Sequence, residues 1–353
     1  MELSRKLKIK SILNHIVPFQ YRYSFNFRRN LSFLMESMKW DDNRMKEYQD
    51  NKLREVLLSG LLFNPYYKKL FKGLGLKKND IINTKDIYND LIIKIPFLSK
   101  EIVRKEKNNL LNGNITKKKY VKSSTSGSTG EPLEYYNSKK CIEWEKAFYY
   151  RHLINNGYSF GDKTIYIRTY IPKSNSDPPY YYDPYRKIFW FSAYHMNENF
   201  LVKYVEIIIA SKIKTLIGYP TSLALLARYC DETKICFSMN TIITASEVLI
   251  EDDRNLIEKT FNCRVGEYYG LSEKIVAFGK CRESVAYHNY PEYGYYEIID
   301  KKGNILINEG DVGEIVGTNF TNVDCMPWIR YKTGDLAILF RKKKCICGLN
   351  TDL

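Results

Sequence analysis

Apolar residues recur at helical spacing between Trp40 and Leu70 and predict an amphipathic helical region. The positions that share its apolar face are Met45, Tyr48, Leu53, Val56, Leu57 and Leu61. Asn64-Pro65 interrupts the pattern, because proline lacks a backbone N–H and restricts the residue before it. A further helix is expected to begin near Glu101, with Ser99 as its N-cap.

Between residues 141 and 268, short apolar runs alternate with longer amphipathic stretches. The expected strands are Lys163–Thr169, Thr215–Gly218, Asn240–Ser246 and Arg264–Tyr268, and the expected helices are Cys141–Asn155, Phe200–Ile213, Leu223–Cys230 and Leu249–Thr260. The segment Ser174–Tyr185, rich in proline and tyrosine, is expected to be a loop. Strand–helix alternation is typical of a mostly parallel sheet covered by helices, so the predicted fold class is α/β.

After Ala277 the pattern changes to short strands separated by Gly and Asn turns. These strands are expected at Tyr293–Ile299, Ile305–Ile307, Val312–Asn319 and Ala337–Arg341. They predict a small antiparallel β subdomain beside the α/β body. We therefore divide the chain into a helical N-terminal segment (1–120), an α/β core (121–275) and a small β subdomain (276–353).

The stretch from Ser123 to Leu133, Ser-Ser-Thr-Ser-Gly-Ser-Thr-Gly-Glu-Pro-Leu, has the chemistry of a phosphate-binding loop. Its two glycines allow tight turns that aim several N–H groups at one point, and its hydroxyls add donors for phosphate oxygens. It lacks the Gly-Lys-Ser/Thr of a Walker loop, which argues against a P-loop NTPase. Taken alone, a flexible Ser/Gly linker is the competing interpretation.

Two later stretches favour the phosphate interpretation. Tyr268–Glu273 combines an aromatic face, a tight turn and a carboxylate, and Arg330–Asp335 places a second carboxylate at another tight turn. A nucleoside triphosphate requires a phosphate cradle, an aromatic face for the base, and carboxylates for Mg²⁺ and the ribose hydroxyls. Because strands of a parallel sheet bind ligands at their carboxyl ends, Glu247 after one strand and Tyr269 after another fit the same site.

In this order, the three stretches resemble the adenylate-forming ligase superfamily, which includes the acyl-CoA synthetases. Within it, the chain is most similar to the phenylacetate–CoA ligase and CapK capsule-biosynthesis branch, over about residues 37–348. The hydroxyl- and glycine-rich loop and the run Asn322–Asp335 carry this resemblance. The segments Asn64–Tyr67 and Ile95–Lys100 also match the branch, and we interpret both as architectural.

The resemblance implies ATP-dependent activation of a carboxylic acid as an acyl-adenylate, with coenzyme A as one possible thiol acceptor and surface polysaccharide biosynthesis as a possible setting. It implies that Glu273 holds Mg²⁺ and acts in catalysis together with Thr129, that Tyr269 stacks on adenine beside Gly270, and that Asp335 accepts the ribose hydroxyls. The implied phosphate cradle comprises Ser126, Gly127, Ser128, Thr129 and Gly130, and the adenine side includes Ser246 and Glu247.

In this family the chain continues into a hinge and a lid domain that supplies a lysine to the adenylation step. The sequence ends at Leu353, before such a lid, so we expect activity to be reduced or to require a separate lid partner. The alternative interpretations of the function are an inactive remnant and a nucleotide-binding partner subunit. A homodimer is one interpretation of the assembly.

Composition limits the remaining possibilities. The formal net charge of +15 suits polyanionic partners, but the charge is spread along a chain rich in Lys, Asn, Ile and Tyr, so a nucleic-acid- or membrane-surface-binding protein is the weaker alternative. No apolar run reaches the roughly 18 residues of a membrane span, and the N-terminus lacks a signal-peptide pattern, so a cytosolic location is expected. The sequence contains no Gly-x-Ser-x-Gly elbow, which argues against a serine hydrolase.

Four residues near the C-terminus form a candidate metal site. Cys281, His288, Cys345 and Cys347 offer thiolate and imidazole ligands that suit tetrahedral Zn²⁺, and some relatives in the branch carry a comparable set. With four protein ligands such a site would be structural. Cys-x-Cys is a less common spacing for zinc ligands than Cys-x-x-Cys, so the alternative is that these cysteines are thiols that bind no metal.

Overall fold

The computed structural model describes residues 18–125, 132–172, 174, 177–340 and 342–353. The contacts divide the chain into two compact units, each made of separate stretches of sequence. The first unit comprises Met1–Arg29, Tyr149–Tyr269 and Gly279–Glu283, and the second comprises Asn30–Phe148, Gly270–Phe278 and Ser284–Leu353. The three-part division made from the sequence stays a prediction.

Ten α-helices lie in the described residues. They are α1 (Phe25–Ser37), α2 (Asp42–Phe63), α3 (Pro65–Gly73), α4 (Lys78–Asn83), α5 (Ile87–Asp90), α6 (Lys100–Glu106), α7 (Lys139–Asn155), α8 (Glu198–Ala210), α9 (Pro220–Glu232) and α10 (Glu251–Phe261). Short 3₁₀ turns cover Phe19–Arg22, Ile92–Lys94 and Lys117–Lys119. None of the helices among these described residues has both the length and the apolar character that crossing a bilayer requires.

Fifteen strands lie in the same described residues. They are β1 (Tyr120–Ser124), β2 (Glu134–Ser138), β3 (Thr164–Arg168), β4 (Tyr180–Asp183), β5 (Ile188–Ser192), β6 (Thr215–Gly218), β7 (Thr241–Ala245), β8 (Val265–Gly270), β9 (Ala277–Lys280), β10 (His288–Asn289), β11 (Gly294–Ile299), β12 (Val312–Asn319), β13 (Tyr331–Ile338), β14 (Lys343–Lys344) and β15 (Asn350–Thr351).

The first unit is built on a mostly parallel sheet, which confirms the predicted α/β fold class. Its strands lie in the order β8-β7-β6-β3-β5-β4, and all adjacent pairs are parallel except β4 with β5. One face is an apolar core in which Ile165 and Ile167 of β3 pack with residues of α8, α9 and α10. Burying apolar side chains on both sides of parallel strands explains their nearly continuous apolar sequences.

The expected loop at Ser174–Tyr185 instead contains strand β4. It pairs with β5 in the register Tyr182↔Phe189, and these two rings stack with centroids 4.3 Å apart. Cross-strand aromatic pairs stabilise antiparallel neighbours. The tyrosines whose composition suggests a surface loop therefore form an edge strand of the sheet.

The second unit contains helices α2 to α6 and small antiparallel sheets. Strands β1 and β2 form a hairpin that the sequence analysis did not predict. Strands β11, β12 and β13 form a three-stranded antiparallel sheet, as predicted. Two details differ from expectation. Residues 305–307 contribute a single bridge, Ile299↔Ile305, rather than a strand, and β13 begins at Tyr331 rather than at Ala337.

The break predicted at Asn64-Pro65 and the N-cap predicted at Ser99 both agree with the structure. The Asn64 side chain accepts a hydrogen bond from the Tyr67 N–H, so the chain ends α2 and starts α3 at Asn64-Pro65. Ser99 caps α6 by accepting from the Ile102 N–H at 3.4 Å. Both caps satisfy N–H groups that a helix start leaves without an intrahelical acceptor.

A buried ion pair braces the second unit. The Arg330 guanidinium donates to both carboxylate oxygens of Glu297 at 3.1 and 2.8 Å, and the two side chains are 6% and 2% exposed. It also donates to the carbonyls of Ile93 and Ile95 and lies 4.2 Å from the centre of the Phe97 ring. One side chain therefore links β11, β13 and the segment before α6.

We expect Glu297→Ala to lower the free energy of unfolding by about 3–5 kcal/mol, because it leaves the Arg330 charge buried without its partner. Urea denaturation followed by circular dichroism measures the change. The matched control is Glu55→Ala, which removes a largely exposed carboxylate paired with Lys52 and should leave stability close to wild type. Equal stabilities of the two variants would contradict the brace.

Candidate functional site

The core of the predicted phosphate loop, Ser126–Glu131, lies outside the described residues, so the roles predicted for its residues stay predictions. Both ends of the loop belong to the β1–β2 hairpin of the second unit. The Thr125 N–H donates to the Leu133 carbonyl at 3.0 Å, and the Leu133 N–H donates to the Thr125 hydroxyl, also at 3.0 Å. The hairpin therefore closes the base of the loop.

Glu273 is a buried carboxylate on the turn that follows β8. It is 4% exposed, and its Oε1 accepts a hydrogen bond from the Tyr331 hydroxyl at 3.1 Å. Burial raises the pKa of Glu273, whereas its hydrogen bonds and the charge of Lys100 lower that pKa, and nearby Asp335 raises it. The turn is tied to the hairpin because the Asn137 side chain donates to the Ser272 carbonyl at 3.5 Å.

Asp335 lies within strand β13 rather than at the end of a turn. Gly334 before it has φ +84°, a value that favours glycine, and the β12–β13 register shifts between Glu314 and Val316. The Asp335 N–H donates to the Thr333 hydroxyl at 3.0 Å. The strand is thus kinked without ending, and the exposed Asp335 remains on the same small sheet as Tyr331.

Lys100 is a site residue that sequence reasoning missed. Its segment, interpreted as architectural, does form a parallel bridge between Leu98 and Tyr331. A Cβ placed on Gly334, the residue before Asp335, would lie 3.3 Å from the Lys100 Nζ. The structure therefore gathers Glu273, Asp335 and the Lys100 ammonium group from three segments that are far apart in the sequence.

Three of the predicted adenine-side residues, Ser246, Glu247 and Tyr269, lie in the first unit, at the carboxyl ends of its parallel strands. Ser246 and Glu247 follow β7, and Tyr269 lies near the end of the adjacent strand β8. Glu247 accepts hydrogen bonds from the N–H and hydroxyl of Thr221 at 3.3 and 2.8 Å. This is the edge at which open α/β sheets bind ligands. The assignment of Tyr269, Gly270, Ser246 and Glu247 to adenine stays a prediction.

Three of the four candidate metal ligands lie together in the second unit. The ligand atoms of His288, Cys345 and Cys347 are within 4.8 Å of one another. Cys345 and Cys347 lie on the turn between β14 and β15, which the Gly348 N–H closes by donating to the Cys345 carbonyl, and His288 pairs with Thr351 of β15. A short sequence motif and a strand pairing thus bring the three ligands together.

The orientation of His288 fits metal binding. Its Nδ1 lies 3.1 Å from the Asn350 carbonyl, which only accepts, so Nδ1 carries the proton. Its Nε2 therefore faces the Cys347 Sγ, 3.5 Å away, with a lone pair available. Metal-binding histidines are commonly oriented by such a bond. The donor set fits Zn²⁺, with buried Cys281, which directly follows β9, as the predicted fourth ligand.

Comparisons with known proteins confirm the predicted resemblance. No family model matches the sequence. The chain is similar to Protein CapK of Staphylococcus aureus, with 27% identity over 360 residues that cover 94% of this chain and 72% of that protein.

Solved structures of 2-hydroxyisobutyryl-CoA ligase share the fold at 14% identity. The postadenylation state in complex with R3-HIB-AMP has a TM-score of 0.65 and covers 89% of this chain and 67% of that one. The open conformation in complex with 2-HIB-AMP and CoA has a TM-score of 0.63, with coverages of 86% and 71%. The fold is therefore that of the adenylate-forming ligases.

Elemental analysis of protein purified without added metal should find about one equivalent of zinc, because thiolate and imidazole ligands are already gathered. Cys347→Ser should lower both the zinc content and the melting temperature. Cys236→Ser, which alters an exposed thiol in the first unit, is the control and should change neither. Metal-free protein with normal stability would rule the site out.

Proposed function

We propose that this chain, whose fold is that of the adenylate-forming ligases, activates a carboxylic acid with ATP. An oxygen of the acid attacks the α-phosphorus, the bond from that phosphorus to the bridging oxygen breaks, and its electron pair leaves with pyrophosphate. The product is an acyl-adenylate. The observation that carries the proposal is the grouping of buried Glu273 with Asp335 and Lys100, on the unit whose hairpin holds the phosphate loop.

Charge stabilisation is the main catalytic requirement of such a step. We assign the hydroxyl and N–H groups of Ser126–Gly130 to the β- and γ-phosphates, with Thr129 acting in catalysis. Glu273 would hold Mg²⁺, because a buried carboxylate with few donors favours a bound cation. When bound, Mg²⁺ neutralises phosphate charge.

The remaining assignments follow the chemistry of the side chains. Asp335 would accept hydrogen bonds from the ribose hydroxyls, and Tyr269 beside Gly270 would stack on adenine near Ser246 and Glu247. Lys100 adds a positive charge beside Gly334, the residue before Asp335, which suits a phosphate oxygen or the leaving pyrophosphate. We further propose a thiol, with coenzyme A as a candidate, as acceptor of the acyl group, and surface polysaccharide biosynthesis as the setting. ATP–pyrophosphate exchange with a panel of carboxylic acids tests the activation step directly.

Asp335→Ala should weaken ATP binding by about 1.5–3 kcal/mol, the scale of hydrogen bonds to a charged group. Isothermal titration calorimetry with ATP and Mg²⁺ measures the loss. Asp324→Ala is the control, since it removes an exposed carboxylate of the same unit whose ion-pair partner is Lys140. Unchanged ATP affinity in folded Asp335→Ala protein would remove Asp335 from the site.

The rate of exchange should rise with pH through the pKa of Glu273, because only the ionised carboxylate binds Mg²⁺. The Tyr331 hydroxyl holds that pKa down by donating to Glu273, so Tyr331→Phe should move the acid limb of the pH–rate profile to higher pH. The high-pH plateau should change less. Tyr136→Phe, on β2, is the control, and an unmoved limb in Tyr331→Phe would contradict the role of Glu273.

A further inference from the structure

Arg168 lies at the carboxyl end of a central strand of the parallel sheet in the first unit. It is the last residue of β3, which lies between β6 and β5 in the sheet. Ile165 and Ile167 of the same strand point into the apolar core, so the alternation of side chains places Arg168 on the opposite face. The side chain is half-buried at the carboxyl edge of the sheet.

The guanidinium of Arg168 extends across neighbouring strand ends. Its Cζ lies 5.4 Å from the centre of the Tyr219 ring, directly after β6, and its Nη1 lies 3.5 Å from the Ser246 hydroxyl, directly after β7. Ser246 has φ +74°, an unfavourable conformation for a residue with a side chain, and such conformations cluster at functional sites. The guanidinium therefore spans the ends of three adjacent strands.

Arg168 lacks a carboxylate partner among the described residues. Its Nε is buried and has no hydrogen-bond acceptor there, and the contact with Ser246 is at the distance limit. Arg254 in the same unit shows the contrast, because its guanidinium pairs with Glu267, Glu258 and Glu251. A half-buried guanidinium with unused donors is suited to bind a carboxylate through two parallel hydrogen bonds.

The surroundings favour an organic anion over an inorganic one. Large apolar side chains follow the ends of β3, β5 and β7 and are exposed: Ile171 by 67%, Tyr194 by 66% and Val248 by 86%. A ligand with a carbon skeleton would cover part of this apolar surface while its anionic group met the guanidinium. An isolated phosphate ion would leave it exposed.

We propose that Arg168 determines substrate specificity by binding a second anionic group of the acid, so that the preferred substrate is a dicarboxylate or a similarly dianionic acid. This inference rests on the proposed function. Arg168 would not serve the carboxylate that attacks ATP, because pairing with a guanidinium draws electron density from the nucleophile. It would instead fix the far end of the acid and so orient the reacting end.

The test compares dicarboxylic acids of three to eight carbons, each with the monocarboxylic acid of equal length, in ATP–pyrophosphate exchange. Wild-type protein should show the lower KM for the dicarboxylates. Arg168→Ala should raise that KM by about 10- to 100-fold, the range expected for lost hydrogen bonds to a charged group, and change the KM for ATP far less. Arg168→Lys should recover part of the loss, since it keeps the charge without the planar fork.

Arg228→Ala is the matched control, because it removes an exposed arginine on α9 of the same unit and should leave every KM unchanged. An equal loss for monocarboxylates and dicarboxylates would overturn the inference and assign Arg168 to the reacting carboxylate. A loss confined to the KM for ATP would overturn it in favour of a phosphate contact. A wild-type preference for monocarboxylates would also overturn it while supporting the proposed function.

Calorimetric titration of the same acids separates the two hypotheses if no acid supports exchange. Dicarboxylates that bind wild-type protein, but bind Arg168→Ala at least about tenfold more weakly, would support the Arg168 site although the ligase proposal failed. Dicarboxylates that bind both proteins equally, or neither, would overturn the Arg168 site.

Discussion

The second unit depends on one buried guanidinium. Arg330, the residue before β13, takes φ +52°, which is costly for a residue with a side chain, and the surrounding hydrogen bonds hold it there. Its backbone N–H donates to the Thr318 hydroxyl, while its side chain joins Glu297 and two carbonyls of the segment before α6. Because a buried charge without its partner is very unfavourable, these three segments hold one another in place.

The position of the candidate nucleotide residues follows from that brace. Tyr331 comes directly after Arg330 and reaches Glu273, and Asp335 is four positions further along the same strand. The segment that Arg330 holds continues through Leu98, which bridges to Tyr331, to Lys100 at the first turn of α6. Structural and candidate catalytic residues are thus adjacent in sequence, and a change at one is expected to affect the other through the backbone.

Arg330 and Arg168 differ in how many of their hydrogen-bond donors have partners within the fold, and this difference separates a structural arginine from a candidate binding residue. Arg330 has its carboxylate, its carbonyls and an aromatic ring, so its donors are used within the fold. Arg168 lies at the carboxyl edge of the parallel sheet with one weak hydroxyl contact, so its donors are not used up within the described fold. A similar logic applies to Glu273, whose burial raises its pKa, so that a bound cation would stabilise the ionised form.

The sequence by itself determined the features that depend on neighbouring residues: the helix starts at Ser99 and Pro65, the alternation that makes the parallel sheet, and the close pair Cys345 and Cys347. Strand β4 and the early start of β13 were missed, because pairing with a distant partner outweighs local loop-like composition. Only the tertiary structure decided that Lys100 lies beside Gly334, that His288 faces Cys347 and that Arg168 meets Ser246. Those contacts join residues 59 or more positions apart, and hydrophobic periodicity carries no information about which distant side chains will meet.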